Sequence, residues 1–197
     1  MIRALLVAML VLSFGVTKEP LIVVALGDSH TTVEAGMGHI LSEKLGREVR
    51  YERIGIVGAR MDLLYESLLH NGPYLTRMRN QNPDVILVAF GTNDGGSRPR
   101  AAVYKGALME LIRRFPRSLI ITLGPPEADP RYLTHLNEIK EMQAQVSKEL
   151  DIVWIDRDVP CELGADGVHQ TRKGYAILAQ YTAHQIIPTI ASKVRRE

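Results

Sequence analysis

Past Pro20 the chain repeats one pattern, in which short runs of β-branched and other apolar residues are separated by longer stretches whose apolar residues recur at helical spacing. A parallel sheet requires this, because each strand is buried on both faces and returns through a crossover helix. Five runs read as strands: 21–26, 49–56, 85–90, 119–123 and 152–155. Three are nearly continuous apolar runs, whereas 49–56 carries Arg50, Glu52 and Arg53 and reads as an edge strand. Between them, Val103, Ala107, Leu111 and Phe115 share one helical face, and Tyr132, Leu136, Ile139, Val146 and Leu150 share another. Asn71-Gly72-Pro73 should split the stretch after Gly58 into two helices, since proline lacks an N–H and restricts its predecessor. A last helix is expected from Thr171 toward Ile187. The pattern predicts one domain over 20–192, a doubly wound three-layer α/β/α sandwich around a five-stranded parallel sheet.

Composition narrows the partners. A chain of 197 residues fills one core comfortably, and 46% hydrophobic with 23% charged residues is ordinary for a globular protein. The net charge is +2, from 24 basic and 22 acidic side chains, and the bases form no stripe that could track phosphates. No nucleic-acid partner is expected. Cys161 is the single cysteine, which excludes an internal disulfide and a multi-cysteine metal site; it reads as a free buried thiol.

At the start, Arg3 precedes an apolar run from Ala4 to Leu12, followed by Ser13, Gly15 and the charged Lys18 and Glu19. This is the grammar of a signal peptide over residues 1–15, too short to span a bilayer. The expectation is export to a periplasmic or extracellular location without stable membrane insertion. Without such a signal the protein would be cytoplasmic.

In an open α/β sheet, ligands gather beyond the carboxyl ends of the strands. Four polar motifs fall there: Gly27-Asp28-Ser29-His30 after the first strand, Gly58 after the second, Gly91-Thr92-Asn93-Asp94 after the third, and Asp166-Gly167-Val168-His169 after the fifth. Each alone has a bland explanation. A serine after a strand is usually a helix N-cap, and Asn or Asp beside glycine usually makes a turn. Their order and common placement argue otherwise.

Together these blocks resemble the SGNH hydrolases, or GDSL-type esterases and lipases, over the whole domain. The resemblance implies a flavodoxin-like sheet and a serine ester hydrolase that needs no cofactor and no metal. It implies Ser29 as nucleophile, His169 as general base, Asp166 as its orienting carboxylate, and an oxyanion hole from the Ser29 N–H, the Gly58 N–H and the Asn93 amide. His30 stands where the family's namesake motif has leucine. The second block is looser, lacking an asparagine ahead of its glycine, so Gly55 competes with Gly58.

These residue types suit the chemistry. A serine hydroxyl attacks well only when a base takes its proton, and Asp166 three residues before His169 could hold the imidazole at the opening of the last helix. Glycine admits a close backbone donor, and asparagine supplies an uncharged N–H₂. Asp28 should brace its own loop through backbone N–H groups. His30, Arg60 and Arg98 are candidates for touching substrate, with Arg100 and Arg131 also on the rim. His39, His70, His135 and His184 lack partners at suitable spacing, and Lys193, Arg195 and Arg196 read as a solvated helix end.

The arginines and the scarcity of large apolar side chains on these loops favour a short acyl group, most simply acetyl, on a small-molecule or glycan ester. A thioesterase or lysophospholipase is the nearest alternative. More remote are a metal-dependent phosphoester hydrolase built on Asp28, Asn93, Asp166 and His169, and a non-catalytic glycan-binding domain.

Overall fold

The computed structural model describes residues 19–33, 36–98, 100–131 and 133–194. The segment expected to be a signal peptide, residues 1–15, lies outside them. In chain order the elements are β1 (Leu21–Gly27), α1 (Ser29–Val33), α2 (Met37–Leu45), β2 (Val49–Gly55), α3 (Met61–His70), α4 (Pro73–Met78), β3 (Val85–Ala89), α5 (Ala101–Arg114), β4 (Leu119–Leu123), α6 (Leu136–Glu149), β5 (Val153–Ile155) and α7 (Arg172–Val194). All five strands pair in parallel, in the order β2-β1-β3-β4-β5, so the charged second strand is an edge.

Strand alternation sends side chains to two separate cores. Val24, Leu26, Ile86 and Val88 pack against α3, α4 and α5 through Leu64, Leu68, Tyr74, Leu75, Leu108 and Leu111. Leu21, Val23, Ala25, Val85 and Leu87 face the other way, onto Leu41 of α2 and Ala179, Ala183, Ile186 and Ile190 of α7. Burying each such leucine or isoleucine contributes roughly 1.5–3 kcal/mol, which is why β1 and β3 form the rigid centre. The sheet order is that of doubly wound folds whose ligand crevice opens at the reversal between β1 and β3.

The predicted break at Asn71-Gly72-Pro73 occurs, and it positions the site. Asn71 ends α3 in a left-handed conformation and Pro73 starts α4. The Ser67 hydroxyl accepts the Tyr74 and Leu75 N–H groups (2.9 and 3.2 Å), satisfying donors that a helix start leaves open. Tyr74 is thereby aimed inward, and its hydroxyl donates to the Gly27 carbonyl at 2.5 Å, at the end of β1.

Three expectations need correction. The last helix does not stop before Pro188 but continues through it to Val194, because Ile186 and Ile190 on either side are both fully buried. One missing backbone bond is outweighed by that burial. Asp166 and His169 do not open this helix, which begins at Arg172; they sit in a hairpin turn ahead of it. The helix expected from Tyr132 begins at Leu136, and Tyr132 lies outside the described residues.

Lys193 is tied back by its ammonium to the Arg117 carbonyl rather than simply solvated, while Arg195 and Arg196 lie outside the described residues. His39, His70 and His184 are exposed, with His70 paired to Glu66, and His135 pairs with Glu138.

Candidate active site

Ser29 stands just past β1, after Asp28, and starts the short helix α1, nearly buried. Its hydroxyl meets His169 Nε2 at 2.8 Å, across 140 residues of sequence. His169 Nδ1 lies 2.7 Å from Asp166 Oδ2. With Nδ1 protonated toward the carboxylate, Nε2 keeps the lone pair that can receive the serine proton. This is the geometry of an activated hydroxyl.

The Asp166–His169 segment explains its own shape. An antiparallel bridge between Leu163 and Gln170 closes the hairpin, and the Gly164 N–H donates to the His169 carbonyl. Asp166 Oδ1 accepts the Val168 and His169 N–H groups (3.0 and 2.9 Å), an Asx turn that leaves Oδ2 for the ring. The Asp129 N–H reaches in to the Gly167 carbonyl at 2.8 Å. Hydrogen bonding to His169, side chain first and backbone second, holds the Asp166 carboxyl well below the usual carboxylate range. The side chains of Asp166 and His169 are 54% and 40% exposed, so the bond to Ser29 lies at an open surface.

The Gly58 and Asn93 loops are stitched together. Asn93 Nδ2 donates to the Ala59 carbonyl at 3.0 Å, and the Asp94 carboxylate accepts the Met61 N–H at 3.3 Å. One Asn93 N–H is thus spent on orientation and the second is left to point elsewhere. Burial raises the Asp94 carboxyl, and the Met61 N–H opposes that rise.

The two competing glycines differ. Gly55 belongs to β2, and a Cβ there would lie 2.7 Å from the Asp28 carbonyl and 2.5 Å from the Thr32 side chain, so it is glycine to let β2 touch the Ser29 turn. Gly58 is outside the sheet at φ +74°, with open space where a Cβ would be. Its glycine serves a left-handed turn that exposes backbone.

Asp28 does brace its loop, with Oδ1 accepting the His30 N–H at 3.0 Å. Burial pushes its carboxyl up to about 6, with that N–H and the nearby Arg157 guanidinium working against the rise. Its other oxygen has no hydrogen-bond partner among the described residues. Asp28 is buried against the His30 N–H and Asn93, half-buried, donates to the Ala59 carbonyl, so neither is gathered with Asp166 and His169 as a ligand set. Among the described residues no cluster of three or more His, Cys, Asp or Glu side chains is placed to hold a metal ion.

The substrate-contact candidates fare differently. His30 is only 2% exposed and lies behind the His169 ring, so it is turned away from any ligand at Ser29. Arg60 and Arg100 both bind Asp62, at 2.5 and 3.1 Å, which neutralises part of the rim. Arg131 pairs with Asp129, and Arg98 is exposed. Cys161 is half-buried rather than buried, and burial with Glu127 nearby raises its thiol, which disfavours a nucleophilic thiolate.

Residue-by-residue reading missed Tyr74, Gln170, Tyr175 and Arg157. Gln170 was detectable only as the neighbour of His169, and the others carry no local signal. A hollow of about 380 Å³ beside the hairpin is lined by Val33, Gln170, Arg172, Tyr175 and Ala176. A larger one, about 760 Å³, lies between α7 and the turn before β4, away from these groups.

Residues 24–177 match the model of the GDSL-like lipase/acylhydrolase family. No curated protein sequence matches the chain. Similar solved structures include a lipase/acylhydrolase from Enterococcus faecalis (21% identity, TM-score 0.66, covering 86% of this chain and 96% of that one). Others are the aryl esterase of M. smegmatis (14%, 0.62, 84% and 98%) and Est24, a carbohydrate acetylesterase from Sinorhizobium meliloti (14%, 0.66, 86% and 99%). These likenesses are of fold, and the family rests on the match across most of the chain. The chain belongs to the GDSL-like lipase/acylhydrolase family and is an ester hydrolase.

Proposed function

We propose that Ser29 attacks the acyl carbonyl of a short-chain ester, with acetyl as the preferred group and a polar or glycan alcohol as the leaving group. The observation that carries this reading is the unbroken run from Ser29 Oγ through His169 to Asp166, at 2.8 and 2.7 Å. As the Oγ–carbon bond forms, the serine proton passes to His169 Nε2 and the carbonyl π pair moves onto oxygen. That oxyanion is received by the Ser29 N–H, the Gly58 N–H and the free N–H of Asn93, each donor worth roughly 10²-fold or more in rate. Gly58 is preferred over Gly55 because Gly55 is committed to strand packing. His169 then returns the proton to the departing alcohol, and a water repeats the sequence on the acyl-enzyme.

The short acyl group is supported by the rim. Val33 and Val57 are its exposed larger apolar side chains among the described residues, enough for a methyl group rather than a long chain. The hollow beside the hairpin is lined mainly by Val33, Ala176 and the Tyr175 ring, and Arg172 is the polar side chain it offers to a hydroxylated alcohol. Export through residues 1–15 belongs to the same reading, and cell fractionation tests it.

The test is a series of chromogenic esters from acetate to palmitate alongside O-acetylated glycans. Acetate should be cleaved fastest, the glycans should release acetate, and Ser29→Ala should abolish both. Faster cleavage of long-chain esters or thioesters would replace the short-acyl reading with the thioesterase or lysophospholipase one. Full activity in Ser29→Ala would remove the mechanism.

A further inference from the structure

His30 is costly where it stands. It is 2% exposed, and burial, seconded by the nearby Arg157 guanidinium, holds its imidazole down to about 3. Its tautomer follows from its neighbours. Gln170 Nε2 donates to the Glu127 carbonyl at 2.8 Å, which turns Gln170 Oε1 toward His30 Nδ1 at 3.1 Å. A carbonyl oxygen only accepts, so Nδ1 carries the hydrogen, and the Tyr175 hydroxyl oxygen at 3.1 Å is a second acceptor. Nε2 is therefore a bare lone pair, buried and without a hydrogen-bond partner among the described residues. A leucine, the family's namesake residue at this position, would incur no such desolvation.

The ring's placement accounts for this. His30 stacks on His169 with centroids 5.0 Å apart and planes 26° from parallel. The groups around this stack are Asp28 on the same turn, Arg157 beyond β5, Asp166 and His169 on the hairpin, and Tyr175 on α7. Gln170 and Tyr175 clamp His30 from the hairpin and α7, so the support and the ring it supports are fixed by the same segment.

We propose that His30 is a positioning residue for the reaction: an uncharged aromatic shelf that fixes the plane of His169 and stabilises its imidazolium form. This rests on His169 being the base. When Ser29 Oγ gives its proton to Nε2, the new cation lies against a neutral π face rather than a second charge. Fixing the plane keeps Nε2 aimed at Ser29, a geometry to which rate is sensitive.

The test compares His30→Leu and His30→Phe with the unaltered protein. Leucine removes the ring and is the residue the family pattern accommodates; phenylalanine restores an aromatic face that cannot titrate. In His30→Leu, kcat should fall about 10-fold with KM little changed, and the acidic limb of kcat/KM should move about half a pH unit lower. His30→Phe should return that limb toward its original position. The shift should also be visible by NMR as a lower pH for titration of the His169 ring signals in resting His30→Leu. That readout needs no turnover, so it separates failure of this inference from failure of the Ser29 mechanism. In the unaltered protein, NMR should show contacts between the two rings and a His30 signal that stays neutral from pH 5 to 8. A His30 that titrates alongside His169, an unmoved limb in His30→Leu, or an equal shift in His30→Phe would overturn the proposal.

Discussion

The hairpin that carries Asp166 and His169 stands half in solvent, whereas the turn that carries Asp28, Ser29 and His30 is sunk into the end of the sheet. The hairpin is built mainly from local hydrogen bonds, an Asx turn and one bridge, with a single reach from outside by the Asp129 N–H. The turn is built from long-range ones, with Tyr74 holding Gly27, β2 pressing Gly55 against Asp28, and His30 clamped from α7. Changes in the exposed half should therefore alter chemistry and leave folding alone. Changes in the buried half should couple the two, because the position of Ser29 is part of the core.

The largest contrast should come from His169→Ala. Its activity on a chromogenic acetate should fall at least about 10³-fold, while the melting temperature stays close to that of the unaltered protein. A large loss of stability would mean the hairpin is more than a local structure. Next is Gly55→Ala, whose Cβ would lie 2.7 Å from the Asp28 carbonyl and move the Ser29 turn. We expect activity to drop about 10- to 100-fold together with stability. Gly58→Ala meets no atom and should cost only about 1 kcal/mol of left-handed strain. Equal damage from the two substitutions would erase the distinction drawn between packing and turn.

A third prediction concerns pH and the buried half alone. Asp28, raised from 3.8 to about 6, keeps in the fold a proton that the unfolded chain gives up, so its contribution to stability falls as pH rises from 3.8 to 6. His30, lowered from 6.5 to about 3, refuses a proton that the unfolded chain accepts, so its contribution falls as pH drops from 6.5 to 3. Between 3.8 and 6 the two slopes oppose each other. Denaturant titrations should show Asp28→Asn gaining stability relative to the unaltered protein as pH rises, on the order of 3 kcal/mol by pH 7. His30→Leu should show the reverse, an advantage that grows as pH falls below 6.5. Parallel profiles for all three proteins would contradict the burial of these groups. The smallest effect should be that of Arg60→Ala, less than about twofold on activity, since its partner is Asp62 on an exposed rim where an ion pair is worth little.

The exposed half was also the more legible in sequence. The sheet could be read because β1 and β3 are continuous apolar runs, and the four motifs could be read because each stands just past a strand. Asp166 and His169 declare themselves by a three-residue spacing that one turn can close. The turn around them was misassigned to a helix start, because the bridge between Leu163 and Gln170 is set by pairing that local pattern does not encode. In the buried half Ser29 and the bracing role of Asp28 could be read from their place just past β1, whereas His30 was opaque. His30 reads as a polar neighbour of a nucleophile, and nothing near it in the chain shows that Gln170 and Tyr175, 140 and 145 residues away, will enclose it. Arg60, by contrast, reads as a candidate substrate contact although the partner that engages it, Asp62, is only two residues away. The end of α7 lies beyond the expected Ile187 because Ile186 and Ile190, on either side of Pro188, are both fully buried, a long-range fact that local pattern does not carry.

The most direct measurement is the reaction of the intact protein with an organophosphonate ester, followed by mass spectrometry of the labelled peptide. One label per chain on Ser29, formed quickly in the unaltered protein and hardly at all in folded His169→Ala, is the predicted result. A label on Cys161 or another serine, or equal labelling of Ser29 without His169, would contradict an ester hydrolase driven by the Ser29–His169 pair.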